Sequence, residues 1–227
     1  MRVLAIDTAL AACSAAVLDT AVGGIVASES QPMTRGHAEA LMPLLARVMK
    51  ESGIAFGDID RVVVTTGPGS FTGLRVGIAA ARGIALAAGI PAVGVSTLSA
   101  YAAPYLGLDD TSPVVAAIDA RHDNVYLQVF APGGRTLVAP RLTALSEAVR
   151  AASDIAACIV GSAAPAVAAG LAKTAPAPVS VDARAAPDIA WVAQIGAVVP
   201  EGSSPPKPQY LRAPDAQPQN AAQLPRR

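Results

Sequence analysis

The sequence repeats one order of elements twice, and this repetition constrains the fold more than any other feature. Each half shows patterns typical of three strands, a helix, a strand and a helix. The segment VVAAID at 114–119 matches RVLAID at 2–7 and places Asp119 112 residues after Asp7. A chance likeness of apolar segments would not keep the elements in the same order over two long blocks. The sequence therefore indicates an internal duplication.

Three successive strands followed by helix–strand–helix units predict a mixed sheet flanked by helices in each half. Two such halves facing one another give an α/β fold, the tandem ribonuclease-H-like domains of the actin, Hsp70 and sugar-kinase superfamily. We predict a first domain over 1–100, with a segment near 205–215 returning to it, and a second domain over 101–204. The composition of 216–227, rich in Pro, Gln and Ala, predicts a disordered tail.

The composition is that of a globular protein, with 52% hydrophobic and 15% charged residues. Seventeen basic residues balance seventeen acidic ones, so the surplus of cations expected of a protein that grips nucleic acid alone is absent. Cys13 and Cys158 are interpreted as reduced core thiols. Neither a leader pattern nor an apolar run of membrane-spanning length is evident, and we expect a cytoplasmic protein.

The segment TTGPGSFTGLRVG at 65–77 has two interpretations. It lacks the spacing and the lysine of a Walker loop, and Thr72 stands where a dinucleotide fingerprint needs its third glycine. Backbone amides of 69–72 at the start of a helix could still attract an anion. The favoured interpretation is structural: Ser70 or Thr72 caps the helix, and the glycines form a tight turn.

Two helices carry candidate contact surfaces. Residues 38–52 place a narrow apolar seam at a spacing of three and four, which suits packing against another helix: Ala38, Leu41, Leu45, Val48 and Ser52. Small residues in 72–88 predict the close approach of a second backbone, from this chain's own sheet or from another subunit: Gly73, Gly77 and Ala81. Arg75 and Arg82 share one side of that helix and form a polar border.

The glycine loop, its helix and the duplicated halves together resemble the bacterial TsaB family, also called YeaZ. Residues 62–100 resemble the family's signature region, with the core GPGSFTGLR. The segments IDTALAACSAAVLD, RGHAEALMPLL, AIDARHDNVYLQVF and PQYLRAPDA match the family's pattern in the same order. The resemblance covers residues 1 to about 216.

This resemblance implies a non-catalytic partner in making N6-threonylcarbamoyladenosine at position 37 of tRNAs that read codons beginning with A. In that family a separate enzyme makes threonylcarbamoyl-adenylate, the paralogue TsaD transfers the group to tRNA, and the ATPase TsaE joins the complex. The resemblance also implies that ATP, Mg²⁺ and metal belong to the partner subunits, with no cofactor on this chain alone. It implies tRNA contact only through the complex, no membrane contact, and pairing of the chain with itself when alone.

By the same likeness the two helices form the contact with TsaD, through nine residues: Leu41, Leu45, Val48, Gly73, Leu74, Gly77, Ile78, Ala81 and Arg82. In TsaD two histidines four residues apart bind the metal, and Thr97 and Tyr101 stand at those positions in this chain. The histidines of this chain, His37 and His122, lie elsewhere and are predicted to be solvated.

Alternative functions remain open at this point. A stand-alone ATP-dependent phosphotransferase or carbamoyltransferase would hold Mg²⁺ through Asp7 and Asp119, with Thr8 and Ser14 at phosphate oxygens. The favoured interpretation is that both aspartates end buried strands and cap turns. A peptidase of the M22 type would use Ser70 with a histidine, but the nucleophile-elbow context is missing. Direct RNA binding is disfavoured by the few aromatic residues and the zero net charge.

Overall fold

The computed structural model describes residues 1–106, 112–171 and 177–212. In the first half, five strands form one sheet: β1 (Arg2–Asp7), β2 (Ala12–Asp19), β3 (Gly24–Pro32), β4 (Arg61–Gly67) and β5 (Ala92–Ser96). The helices of this half are α1 (His37–Ser52), α2 (Phe71–Ala88) and α3 (Thr97–Ala102). The spatial order of the strands is β3-β2-β1-β4-β5, with β1 antiparallel to β2 and parallel to β4.

The second half builds a sheet of the same order. Its strands are β6 (Val114–Asp119), β7 (Asn124–Phe130), β8 (Thr136–Ala144), β9 (Cys158–Val160) and β10 (Ser180–Asp182), arranged β8-β7-β6-β9-β10. Its helices are α4 (Leu145–Ser153), α5 (Ala164–Leu171) and α6 (Ile189–Val198). As in the first half, the first strand is antiparallel to the second and parallel to the fourth. The predicted fold class, with its two mixed sheets flanked by helices, is confirmed.

The first sheet is buried on both faces. The central strands β1 and β4 are therefore buried along almost their whole length, with continuous apolar runs at 3–6 and 62–64 rather than alternation. One face packs beneath α1 and α2 and contributes the largest apolar cluster, which includes Leu4, Ile6, Leu41, Leu45, Leu74 and Ile78. This cluster holds both helices against the sheet, because burial of large aliphatic side chains is the main favourable term in folding.

The last helix of each half packs on the sheet of the other half. Residues Ile189, Val192 and Ala193 of α6 lie against Val3, Ala5 and Val63 on the second face of the first sheet. Conversely, α3 packs its residues Leu98, Tyr101 and Ala102 against the second sheet. The exchange joins the two halves through two apolar interfaces. The predicted domain boundaries stay predictions, and α6, which lies within the range predicted for the second domain, packs on the first sheet.

The segment 200–212 runs along the free edge of β5. The Gly94 amide donates to the Ser204 carbonyl oxygen over 2.7 Å, and the Ser204 hydroxyl donates back to the Gly94 carbonyl over 2.8 Å. The Gln209 amide donates to the Thr66 carbonyl over 2.7 Å. These bonds cover part of an edge that would otherwise expose unpaired backbone groups. The predicted disordered tail at 216–227 lies outside the described residues.

By length and composition alone, the helix α2 is long and apolar enough to cross a membrane. The prediction that no apolar run reaches this length was therefore wrong. A core helix passes the same test, and one face of α2 packs on the first sheet.

We predict that Arg61 stabilises the exchanged helix α6. Its Nη1 donates to the carbonyl oxygens of Gly196 and Val199 at 2.8 and 2.7 Å, at the negative end of the helix dipole. Arg61→Met should lower the free energy of unfolding by about 1.5–3 kcal/mol, the range for hydrogen bonds to charged groups. Urea unfolding measures this change. Arg141→Met, on the exposed β8, is the control and should cost less than about 0.5 kcal/mol; equal losses would contradict the prediction.

Candidate functional site

The loop before α2 closes on the turn that follows β1. The Ser70 amide donates to the Ala9 carbonyl oxygen over 2.7 Å, and the Thr8 hydroxyl donates to the Gly73 carbonyl over 2.7 Å. The Ser70 hydroxyl accepts from the Gly73 amide at 3.3 Å, so the predicted cap of α2 is confirmed. The amides of Ser70 and Gly73 at the start of α2 are therefore engaged within this chain.

The glycines of this region are required by that contact. A Cβ atom at Gly69 would overlap the Ala9 carbonyl, and one at Gly73 would overlap the Thr8 carbonyl. A Cβ at Gly77 would overlap the Thr8 hydroxyl. The close approach predicted from the small residues is thus made by the chain's own β1–β2 turn. The space that a phosphate would need beside these glycines is filled.

We predict opposite effects for two glycine substitutions in α2. Gly73→Ala should destabilise the chain by about 1–3 kcal/mol, because the added methyl overpacks against Thr8. Gly83→Ala is the matched control, since no atom lies within 4 Å of its would-be Cβ. It should stabilise the helix by about 0.5–1 kcal/mol. Urea unfolding of the free chain measures both, and a neutral Gly73→Ala would show that the contact is not close.

Asp7 ends β1 in a fully buried position. Its Oδ1 accepts from the Thr65 hydroxyl and from the Ala9 amide, while its Oδ2 has no hydrogen-bond partner among the described residues. Burial raises the pKa of this carboxyl, and the bonds from Thr65 and Ala9 offset part of the effect. Asp119, at the equivalent end of β6, is exposed and accepts from the Arg121 amide at 2.8 Å. The two aspartates have different environments.

These residues do not fit Mg-ATP. Asp7 and Thr8 are buried, and the Thr8 hydroxyl is donated to the backbone of α2. Within 1–106, 112–171 and 177–212, no three His, Cys, Asp or Glu side chains are placed to hold a metal ion.

The positions that match the metal-binding histidines of TsaD are also buried. Thr97 is fully buried, and the Tyr101 hydroxyl donates to the Arg184 carbonyl over 2.9 Å. Burial raises the pKa of Tyr101 far above its ordinary value, which keeps the phenol neutral. The prediction for His37 was wrong: the ring is buried, with Nε2 3.0 Å from the Leu10 carbonyl oxygen. His122 is exposed.

We predict that Asp7 makes stability fall as pH rises. The folded state holds this proton to a higher pH than the unfolded state, so its contribution is complete at low pH and is lost through the raised pKa. Between the ordinary carboxyl pKa and the raised pKa of Asp7, the free energy of unfolding of the wild type should fall relative to that of Asp7→Asn as pH rises. The fall should be up to about 1.4 kcal/mol per pH unit. Urea unfolding over a pH series measures this. Asp119→Asn, at the equivalent strand end, is the control; identical profiles for wild type and Asp7→Asn would contradict the assignment.

The predicted contact with a partner stays a prediction, and the structure shows where its nine residues lie. Eight of the nine are buried in the core of this chain: Leu41, Leu45, Val48, Gly73, Leu74, Gly77, Ile78 and Ala81. Arg82 alone among the nine is exposed. Within the predicted apolar seam of α1, Leu41, Leu45 and Val48 face the first sheet, whereas Ala38 is exposed.

The opposite sides of the same two helices face outward. We define the outer face of α2 by Thr72, Arg75, Ala79, Arg82, Gly83 and Leu86, and the outer face of α1 by Ala38, Met42, Pro43, Ala46 and Lys50. The side chain of Leu86 is 85% exposed and that of Met42 is 55% exposed. Both helices pack on one face of the first sheet, so their outer faces lie on the same side of the molecule. Exposed apolar groups gathered on one side are typical of a protein–protein contact.

A cluster at the start of α2 was missed by sequence reasoning. The rings of Phe71 and Tyr210 have centroids 5.2 Å apart, and the Arg75 guanidinium lies 3.7 Å from the centroid of Phe71. The Arg75 Nε donates to the Tyr210 hydroxyl over 3.1 Å. We name these three residues the Arg75 cluster. No local pattern reveals it, because Arg75 and Tyr210 are 135 residues apart.

The fold defines a class of protein with two α/β halves, each a five-stranded mixed sheet of the same strand order flanked by helices. A hexokinase of the ROK type from Thermus thermophilus shares this fold, with a TM-score of 0.53 at 15% identity, over 87% of this chain and 99% of that one. The structure of YeaZ from Pseudomonas aeruginosa matches with a TM-score of 0.77 at 28% identity, over 92% of this chain and 99% of that one.

The family model for TsaD, tRNA N6-adenosine threonylcarbamoyltransferase, matches residues 12–173. The tRNA threonylcarbamoyladenosine biosynthesis protein TsaB of Escherichia coli is 41% identical over 126 residues, which are 56% of this chain. The matched part spans about half of that relative, 53% of its length. The chain belongs to this family, and within it to the TsaB (YeaZ) proteins, as its resemblance predicted.

Proposed function

We propose that this chain is the non-catalytic, activating subunit of a TsaD-type transferase that makes N6-threonylcarbamoyladenosine at position 37 of tRNAs reading codons beginning with A. Its membership among proteins named for threonylcarbamoyladenosine biosynthesis supports the pathway. One combined observation carries the subunit role. The turn after β1 is packed tightly against α2, and the outer faces of α1 and α2 are exposed.

The environments of the residues that would hold a metal ion or a nucleotide support a role without catalysis. Thr97 and Tyr101 occupy the positions of the metal-binding histidines, and both are buried. Asp7 and Thr8 are engaged within the chain. The peptidase alternative has no support from Ser70, whose hydroxyl caps α2. In this proposal ATP, Mg²⁺ and metal act on the partner subunits.

The partners follow from the same proposal. The TsaD paralogue binds the outer faces of α1 and α2, the ATPase TsaE joins the pair, and tRNA is contacted only through the complex. When alone, the chain pairs with itself through the same faces. The complex is cytoplasmic and has no membrane partner.

The pathway is tested by depleting this protein in its own cells and measuring the modified nucleoside in tRNA hydrolysates. The nucleoside should fall severalfold and recover when the gene is restored. An undiminished level would overturn the proposed function. So would transfer of the threonylcarbamoyl group to tRNA by this chain with no other protein present.

We predict that Leu86→Glu separates this chain from TsaD. Its side chain is 85% exposed, so the substitution should leave the free chain folded while placing a charge in the contact. Gel filtration of the mixed proteins should give a joint peak for the wild type and two peaks for the variant. Leu137→Glu is the matched control, because Leu137 is an exposed leucine on β8 of the other half. A joint peak that survives Leu86→Glu would exclude this face as the contact.

A further inference from the structure

The outer face of α2 carries positive charge that forms no ion pair with a carboxylate of the described residues. The helix contains Arg75 and Arg82 and no acidic residue over its 18 residues. Within the parts of the chain that the structure describes, no carboxylate forms an ion pair with either guanidinium. Arg47 and Arg150 are exposed and paired with Glu29 and Glu147, whereas Arg35, Arg121, Arg135 and Arg141 are exposed and form no ion pair within the described residues. Arg75 therefore differs from the other exposed arginines in the way its side chain is held, not in lacking a carboxylate.

Arg75 is held in place although it has no carboxylate. Its guanidinium lies over the Phe71 ring, and its Nε donates to the Tyr210 hydroxyl. Tyr210 follows directly on Gln209, whose amide is bonded to the Thr66 carbonyl. The segment 200–212 therefore anchors one side of the Arg75 cluster to the sheet. A side chain fixed in this way loses little conformational entropy on binding, which is a common property of interface hot spots.

The spacing of the two arginines defines what they can bind. Seven residues are almost two helical turns, so their Cα atoms lie about 10 Å apart on one side of α2. Ala79 and Gly83 lie between or beside them, and Leu86 continues the face. The face is therefore an apolar strip bordered by two cations.

We propose that this face receives a helix of the partner protein that presents two carboxylates about 10 Å apart beside a strip of small apolar residues, one carboxylate for Arg75 and one for Arg82. Tyr210 is a positioning residue that orients Arg75 for this pairing. The inference rests on the proposed function and names the chemistry of the TsaD surface that fits.

A protein helix fits this face better than a nucleic acid. Binding to phosphates requires several cations along a groove, whereas this face offers two arginines beside the exposed apolar Leu86. The zero net charge of the chain also favours a protein partner over a nucleic acid.

Calorimetric titration of the full chain with its TsaD paralogue at several salt concentrations tests the pairing. The double variant Arg75→Gln/Arg82→Gln should bind about tenfold more weakly than the wild type and should lose most of the salt dependence. Arg150→Gln, on the exposed surface of α4, is the control and should match the wild type. Wild-type affinity and salt dependence in the double variant would overturn the proposal.

The role of Tyr210 has its own readout. Tyr210→Ala should weaken binding severalfold in the wild-type background and have no further effect when added to Arg75→Gln, because a positioning residue acts through Arg75. Tyr210→Phe keeps the ring and tests the hydroxyl. Additive losses would overturn the positioning role.

The outcomes separate this inference from the function on which it rests. If the wild type does not bind TsaD, both fail. If the wild type binds and the arginine variants bind equally well, the carboxylate pairing fails while the proposed function stands. If the variants bind TsaD as tightly as the wild type but the complex binds tRNA more weakly, the face contacts the nucleic acid and the helix proposal is overturned.

Discussion

The carbonyl oxygens of Thr8 and Ala9 lie against the backbone of α2 and the loop before it, and the rest of the structure depends on this contact. Only residues without a Cβ fit at 69, 73 and 77. Bonds from the Thr8 hydroxyl and from the Ser70 amide then fix the helix on the sheet. Because the rotation of α2 about its axis is fixed in this way, Gly73 and Gly77 face inward while Gly83 faces outward. The same rotation decides which side chains the helix offers to a partner.

The contact also changes the chemistry at the end of β1. Asp7 is buried beneath the turn, and its raised pKa favours the neutral acid. The second half makes a close contact at a different place, since a Cβ at Gly161 would overlap the carbonyl of Ala117, two residues before the end of β6. Asp119 at the end of β6 is exposed. The two halves therefore share their strand order but differ in the contacts and the burial at the end of the first strand.

The sequence predicts the elements because their periodicity is local. The matching segments 2–7 and 114–119 are strands with these same bounds in the structure. Periodicity identifies the apolar side of a helix but not the surface that covers it. For this reason the seam that includes Leu41 and Leu45 was assigned to a partner although it faces the chain's own sheet. The exchange of α3 and α6 was beyond prediction for the same reason. The Arg75 cluster depends on Tyr210, whose position is set by hydrogen bonds along the edge of β5.

The two halves differ in whether the charged and apolar side chains on their outer helices have partners within the described residues. In the second half, α4 and α5 close against each other where Val149 meets Gly170, and the charge of Arg150 is matched by Glu147 one turn away. In the first half, the outer face of α2 keeps two guanidiniums without carboxylates and a leucine that is almost fully exposed. The buried side of α2 is occupied by the first sheet, so only its outer face can meet another molecule. The contact with Thr8 and Ala9 fixes which side of α2 is buried. The same contact therefore also fixes which side chains, Arg75, Arg82 and Leu86 among them, the outer face presents.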